Sequence, residues 1–549
     1  MSDPVDLVVR NARVHTFDDT ETVAQGFAVR DGRIVAVGTD EELSALIGPA
    51  TLVEDLGGAV VIPGLVDAHN HHSTAGRAEL FECSFPDTAG VDEIVATIAA
   101  WAQQHPDDEW IVGGSWGSGL FSALADPSAL AALDAASAGK KVLLSDDSLH
   151  NRWANTAAMA AAGLTADSPD PRGGQILRDA SGALTGVLIE AAGALVEAAR
   201  AESAPAGADF WARCSRRGVE IMNERGITAF MDASASEDLM AGLALLDERG
   251  ELSAWAVSAM LVNDFIFGTT VLGTDLFAMR EQFRTAHHLP DFAKIFLDGV
   301  PPAYTAAFLQ PYRDGGPHGA CFHGTTTMPP EELLGWLRTA GGQGIGVKVH
   351  CTGDASVRYV LDAVEQVRAE GIDAVFHIAH GQFVSPEDVP RLAALGVVAE
   401  ISPALWSPSV IMDALDSVLE PDVMARIHPN RDLLDAGTTV ACGSDWPVSP
   451  DPNPWAAISS LVTRADPYGL VPGTVAADQA ITVREALYAY TRGGASALGL
   501  ADRIGSIEAG KSADFVVIDR DPFAVAPAEL ATTVTLGTWF AGALVYAPA

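Results

Sequence analysis

Two imidazoles two residues apart, His69 and His71, stand at the end of the apolar run 60–68. Alternate residues of a β-strand share a face, so both rings can point at one spot. Two neutral imidazoles make half of a divalent-metal site, but H-x-H alone is short and common and needs partners. Partners stand at the ends of other short apolar runs: His350 closes 346–350, His380 closes 374–380 and Asp445 closes 438–445. Imidazole and carboxylate donors suit a cation that polarises a carbonyl and acidifies water, which is hydrolytic chemistry.

Lys294 is the unexpected neighbour. The chain has five lysines against 28 arginines, and this one sits inside the apolar run 292–297. An ammonium cannot bind a cation and is costly to bury unpaired. A neutral amine, however, can add carbon dioxide to give a carbamate, an anion with two oxygens able to bridge two cations. The plainer reading pairs Lys294 with Asp298 or carries its ammonium to the surface. Its place in an ordered set of candidate ligands favours the carbamate.

The strands that carry these groups must bring them together. One apolar run ends at 71, and others recur at 227–232, 254–260, 292–297, 346–350, 374–380, 397–402 and 438–445, separated by helical stretches. Eight β-α units predict a TIM-like (β/α)8 barrel, an α/β fold whose functional side chains gather at the C-terminal strand ends. His69, His71, His350, His380 and Asp445 all fall at such ends.

H-x-H after strand one, lysine on strand four, histidine after strands five and six and aspartate after strand eight resembles the amidohydrolase superfamily of metal-dependent hydrolases. The motifs Lys294-Ile295-Phe296-Leu297-Asp298-Gly299, His350-Cys351-Thr352-Gly353-Asp354, His380-Gly381-Gln382-Phe383 and Gly443-Ser444-Asp445-Trp446-Pro447-Val448 are similar to its YtcJ-like branch, which includes N-substituted formamide deformylases. The similarity runs nearly end to end. It implies a small β-sandwich built from both chain ends, 1–60 and 501–549, beside a metal-dependent barrel over 61–500. It also implies two divalent ions, zinc by ligand type. His69, His71 and Asp445 would hold them on one side, His350 and His380 on the other, with carbamylated Lys294 as the bridge. Metal-activated hydroxide would attack a carbonyl carbon, and Asp445 would carry the proton to the leaving nitrogen. The implied activity is hydrolysis of a non-peptide, amide-type carbon–nitrogen bond in a small molecule. A cyclic amide or imide hydrolase, a deaminase or a carboxylic-ester hydrolase would use the same metal core, whereas a non-catalytic scaffold would lack ligands that this chain has.

About 150 residues, 73–225, separate the first two strands, far more than a plain βα loop needs. Such an insertion would sit over the barrel mouth, and it offers Trp116 and His150 as candidate substrate-binding residues. His377 reads as a packed histidine and His72 as a partner standing behind the ligands. Asp67, Asp298 and Asp354 are the carboxylates expected to orient imidazoles. After strand seven, Glu400-Ile401-Ser402-Pro403 departs from the Gln-Pro and histidine of relatives, which detaches substrate specificity from the resemblance.

Charge narrows the partners. With 72 acidic against 33 basic residues and a net charge of −39, the chain has no basic stripe for nucleic acid and is repelled by anionic membranes. It has no apolar run of about 18 residues and no basic-then-apolar leader, so a cytoplasmic location is expected. Five scattered cysteines form neither a disulfide framework nor a metal motif. A small-molecule substrate is the expected partner, and a homodimer is left open.

Overall fold

The computed structural model describes residues 5–203, 206–264, 266–313, 318–405 and 407–548. Eight parallel strands pair in chain order: β1 (Leu65–Asn70), β2 (Ile227–Ala235), β3 (Trp255–Leu261), β4 (His288–Phe296), β5 (Gly346–Cys351), β6 (Phe376–His380), β7 (Val397–Ile401) and β8 (Val440–Cys442). Every residue of β1, β2, β3 and β5 is buried, because helices cover the outside of the sheet and side chains fill its inside. That double burial is why these strands read as unbroken apolar runs.

The ring closes through the backbone of the candidate ligands. Just past the ends of β1 and β8, the Asp445 N–H donates to His69 O at 2.8 Å and the His71 N–H to Trp446 O at 2.8 Å. Gly443 permits this approach, since a Cβ there would lie 2.4 Å from the Cβ of His69.

The apolar run 60–71 turns out to be two strands. Val60–Pro63 pairs antiparallel with Phe515–Ile518 in a six-stranded sheet that also holds Arg13–His15, Val23–Ala24, Thr535–Phe540 and Ala543–Tyr546. Pro63 cannot donate to a ladder, and the chain crosses to the barrel at Gly64, where a Cβ would meet Thr228 Oγ1 at 2.0 Å. Leu7–Arg10, Gly26–Arg30, Arg33–Gly38 and Leu52–Asp55 form a second, four-stranded sheet. Leu7, Val9 and Phe27 pack with Val61, Phe515 and Trp539 between them, so both chain ends share one core.

Between β1 and β2 lies a further six-stranded sheet, made of Cys83–Ser84, Trp110–Trp116, Lys141–Asp146, Arg152–Ala154, Gly174–Arg178 and Leu184–Glu190. Its own core includes Ile94, Ile98, Ile111, Leu144 and Trp153. No helix among the described residues is long and apolar enough to cross a membrane.

Two glycines test the seam. Gly443→Ala forces a methyl into His69 and should cost at least the about 1–3 kcal/mol of an overpacked core, read as a lower denaturation midpoint. Gly335→Ala, inside the helix Pro330–Gly341 with open space around its Cβ position, should gain up to about 1 kcal/mol from helix propensity. Equal midpoints for the two variants would mean that the seam is slack.

Candidate metal centre

The ends of β1, β5, β6 and β8 bring four imidazoles and one carboxylate into a row. Ring centroids run 5.6 Å from His71 to His69, 4.8 Å from His69 to His380 and 4.6 Å from His380 to His350. Asp445 Oδ1 lies 3.4 Å from His69 Nε2 and 3.5 Å from His71 Nε2, and its Oδ2 lies 3.8 Å from His380 Nδ1. His69, His71 and Asp445 form the group of donors close enough to share one cation among the described residues. Asp445 and His380 both hold left-handed backbone, at φ 56 and φ 72, a strain of about 1–3 kcal/mol each of the kind that collects at functional sites.

Each imidazole is aimed by a partner. His69 Nδ1 bonds Glu400 Oε1, His71 Nδ1 lies 2.8 Å from Ser234 Oγ and His380 Nδ1 3.1 Å from Ser402 Oγ. His350 Nε2 is 3.4 Å from Gly299 O. Burial holds His69 and His350 well below the ordinary histidine pKa and brings His380 to about 4. Neutral imidazoles are what a cation requires.

Beneath the row, the barrel is charged where such barrels are normally filled with branched aliphatic side chains. Lys294 on β4 and Lys348 on β5 are register partners, and both are wholly buried. Lys348 Nζ lies 2.5 Å from Glu400 Oε2 and 2.5 Å from Ala68 O. His377 Nδ1 is 3.4 Å from the same carboxylate oxygen, and its Nε2 is 3.0 Å from Ala497 O. Burial would raise the pKa of Glu400, but Lys348 and then His69 outweigh it, and the group stays a carboxylate well below its usual range.

Lys348 thus occupies the carboxylate, and Lys294 Nζ has no hydrogen-bond partner among the described residues. Burial, followed by repulsion from Lys348, lowers its pKa to about 7. The alternative in which Lys294 pairs with Asp298 or reaches the surface is overturned. Asp298 instead accepts from the N–H groups of Ala307, Thr352 and Gly353 and from Ser356 Oγ.

The other expected carboxylates serve the backbone more than the rings. Asp67 accepts from the N–H groups of His69 and Ser444 and from Ser444 Oγ, and Asp354 from Leu309 N–H. His72 acts at one remove: its Nδ1 lies 3.1 Å from Asp232 Oδ2, and Asp232 Oδ1 accepts from the N–H of Ser234, the partner of His71.

A cavity of about 920 Å³, open mouth included, lies over this row. The barrel side is lined by the ligand candidates, Lys294 and Phe296, and the insertion adds Ser118, Asp147, Ser148, Leu149 and His150. His150 faces His350 at 5.1 Å between ring centroids. Trp116 is elsewhere. It is fully buried in the core of the insertion, set edge-on to Phe121 at 5.2 Å between ring centroids, with its indole N–H donating to Leu144 O at 3.3 Å. Sequence reasoning passed over Glu400, Lys348, Ser234 and Ser402, and also His428, which lines the cavity. Lys348 carried the same signal as Lys294, a rare lysine inside an apolar strand.

Residues 52–546 match the model of the Amidohydrolase family. The chain belongs to that family. An N-substituted formamide deformylase of Arthrobacter pascens is 31% identical over 98% of both chains, and the protein YtcJ of Bacillus subtilis strain 168 is 28% identical over 96% of both. A solved metal-dependent hydrolase of Pyrococcus horikoshii, 20% identical, shares the fold with a TM-score of 0.73 over 95% of this chain and 99% of its own. The protein is an enzyme, an amidohydrolase.

In this amidohydrolase, Glu400→Gln removes the charge that both His69 and Lys348 use. Metal affinity should fall about 10- to 100-fold, the usual loss when a ligand's orienting partner is removed, and stability should fall by about 3–5 kcal/mol as Lys348 is left uncompensated. Adding Lys348→Met should restore stability and leave the affinity low. Metal competition titrations and denaturant melts of the two variants separate the effects; recovery of both would tie Glu400 to folding alone.

Proposed function

We propose that this amidohydrolase cleaves the amide-type carbon–nitrogen bond of a small molecule that is not a peptide, using two divalent ions. The observation that carries the reading is the buried Lys294 amine, without a hydrogen-bond partner among the described residues, in the same cavity wall as His69, His71 and Asp445. A neutral buried amine with no hydrogen-bond acceptor is a good acceptor of carbon dioxide, and the resulting carbamate would be an anion suited to hold cations. His69, His71 and Asp445 would hold one ion, His350 and His380 the other, and Lys294 carbamate would join them. The imidazole-rich donor set fits zinc. When bound, the ions supply polarisation of the carbonyl and acidification of water near neutral pH.

The chain's own residues account for the rest. Asp445 Oδ1 faces His69 and His71 and would be the oxygen that holds the ion, while Oδ2, on the His380 side, would take the proton of the attacking water and release it to the departing nitrogen. His69 stays in one tautomer because its Nδ1 is committed to Glu400. His150, on the insertion side, contacts the substrate. Burial disfavours its protonated form, but Glu190 more than offsets this and raises the pKa above the ordinary value.

The same reading divides the chain into a terminal β-sandwich of 1–60 with 501–549 and a barrel of 61–500 carrying the insertion 73–225, with the strand Val60–Pro63 still paired in the sandwich before the chain crosses at Gly64. It keeps the enzyme cytoplasmic, in line with five unpaired cysteines, four of them buried. N-acyl and N-formyl amines are the substrates to try, given the deformylase at 31% identity.

Purified enzyme should carry close to two ions per chain by elemental analysis and lose activity on chelation. Lys294→Ala should stay folded and inactive, with partial recovery on adding metal and a short carboxylic acid that imitates the bridging anion. Near-normal turnover by Lys294→Arg, which cannot form the carbamate, would sink this model.

Asp445→Asn keeps the size and one ligand oxygen but removes the base. Metal content should persist while turnover falls about 10²-fold or more. Full metal with near-normal amide hydrolysis would take Asp445 out of the proton path.

A further inference from the structure

Glu190 ends the last strand of the insertion, Leu184–Glu190, and its carboxylate leaves the insertion to enter the barrel mouth. Its Oε2 lies 2.8 Å from His150 Nδ1, and its Oε1 accepts from Thr305 Oγ1 at 2.6 Å, a residue of the loop that follows β4. The side chain is 1% exposed. Space has been kept for it: a Cβ on Gly299 would lie 2.0 Å from Glu190 Oε1 and 2.2 Å from Thr305 Oγ1. Gly299 in turn offers its carbonyl to His350 Nε2 at 3.4 Å and to Thr352 Oγ1 at 2.6 Å. Glu190 also adopts φ 49 with ψ −124, a backbone conformation that side chains rarely take. The Asn151 side chain braces it by accepting from the Glu190 N–H at 3.3 Å.

These contacts hold His150 by Nδ1, and its ring lines the cavity and faces His350. We propose that Glu190 is a positioning residue that holds His150 Nε2 against the polar atoms of the substrate's amide, so that the insertion completes a catalytic cavity that the barrel alone leaves open on one side. This rests on the amide-hydrolase reading above. Oriented by a buried carboxylate, the imidazole meets the amide with little reorganisation, which is how a second wall contributes to rate beyond binding.

The test compares wild type, Glu190→Gln, Glu190→Ala, His150→Asn and the Glu190→Ala/His150→Asn double variant for kcat, KM, metal content and thermal midpoint. Nitrogen-15 histidine spectra accompany the kinetics, with His150 assigned by its loss in His150→Asn. Glu190→Ala should lower kcat/KM about 10²-fold, mostly in kcat, with the metal retained. In the His150→Asn background it should cost less than about threefold more, because a residue that acts through another has nothing left to position. The His150 Nδ1 resonance should move in Glu190→Gln, which keeps the shape of the side chain and carries the test if the alanine variant does not fold.

Fully additive losses, loss of metal in Glu190→Ala, or an unchanged His150 spectrum in Glu190→Gln would each overturn the proposal. A wild type inactive on every amide offered would instead sink the hydrolase reading, and the spectra would still decide whether Glu190 holds His150.

Discussion

The Glu400 carboxylate is the interaction on which the rest of the site hangs. It lies in the barrel interior with no exposure, bonded to His69 on one oxygen and to Lys348 on the other, with His377 alongside. An isolated carboxylate there would be prohibitively costly, and so would an isolated Lys348. Together they form a neutral pair whose geometry is set by three different strands, β1, β5 and β7. The pairing also decides which lysine is special. Glu400 pairs with Lys348, and Lys294 is the lysine left without a hydrogen-bond partner among the described residues. Burial first, and then repulsion from Lys348, lowers its pKa to about 7.

The same economy governs the seam. His69 and Asp445 are ligand candidates, and they are also where the first and last barrel strands meet, through Asp445 N–H to His69 O. Closing the barrel and assembling the donors are one event, so a partly closed barrel has no site. Asp67 reinforces this by accepting from both sides of the seam, at His69 N–H and at Ser444. The left-handed backbone of Asp445 and His380 is affordable only inside such a closed ring.

What was legible in the sequence followed from periodicity and type. Eight apolar runs correspond to eight strands, and the histidines and the aspartate at their ends meet in one row, so the barrel and the meeting of these candidate ligands were readable from the sequence. Three things were not. Val60–Pro63 and Leu65–Asn70 look like one run because both are buried, and only strand pairing separates them. Trp116 and His150 are equally prominent near strand ends of the insertion, yet one packs inward and the other lines the cavity, a difference set by twist and register that single-sequence patterns do not carry. Glu400 looked like a departure from relatives, when its meaning depended on Lys348 and His69, which are far away in the chain and adjacent in space. Long-range charge pairing leaves no local signature.

The candidate ligands and one wall of the cavity come from separate parts of the chain. The donors come from the barrel, where each is locked by a buried partner and by closure of the ring, so their substitution would be felt throughout the fold. The facing wall comes from the insertion, whose sheet has its own core and touches the barrel mouth through few polar contacts, Glu190 to Thr305 among them. Changes in Ser118, Asp147, Ser148 or Leu149 can reshape the cavity without disturbing Glu400 or the seam. A family built this way keeps its hydrolytic core while its substrates diverge. The cavity is walled by the insertion on one side, where burial and then its neighbour Asp146 push the Asp147 carboxyl up to about 7, and by barrel loops carrying Phe267, Pro301 and Leu415 on the other.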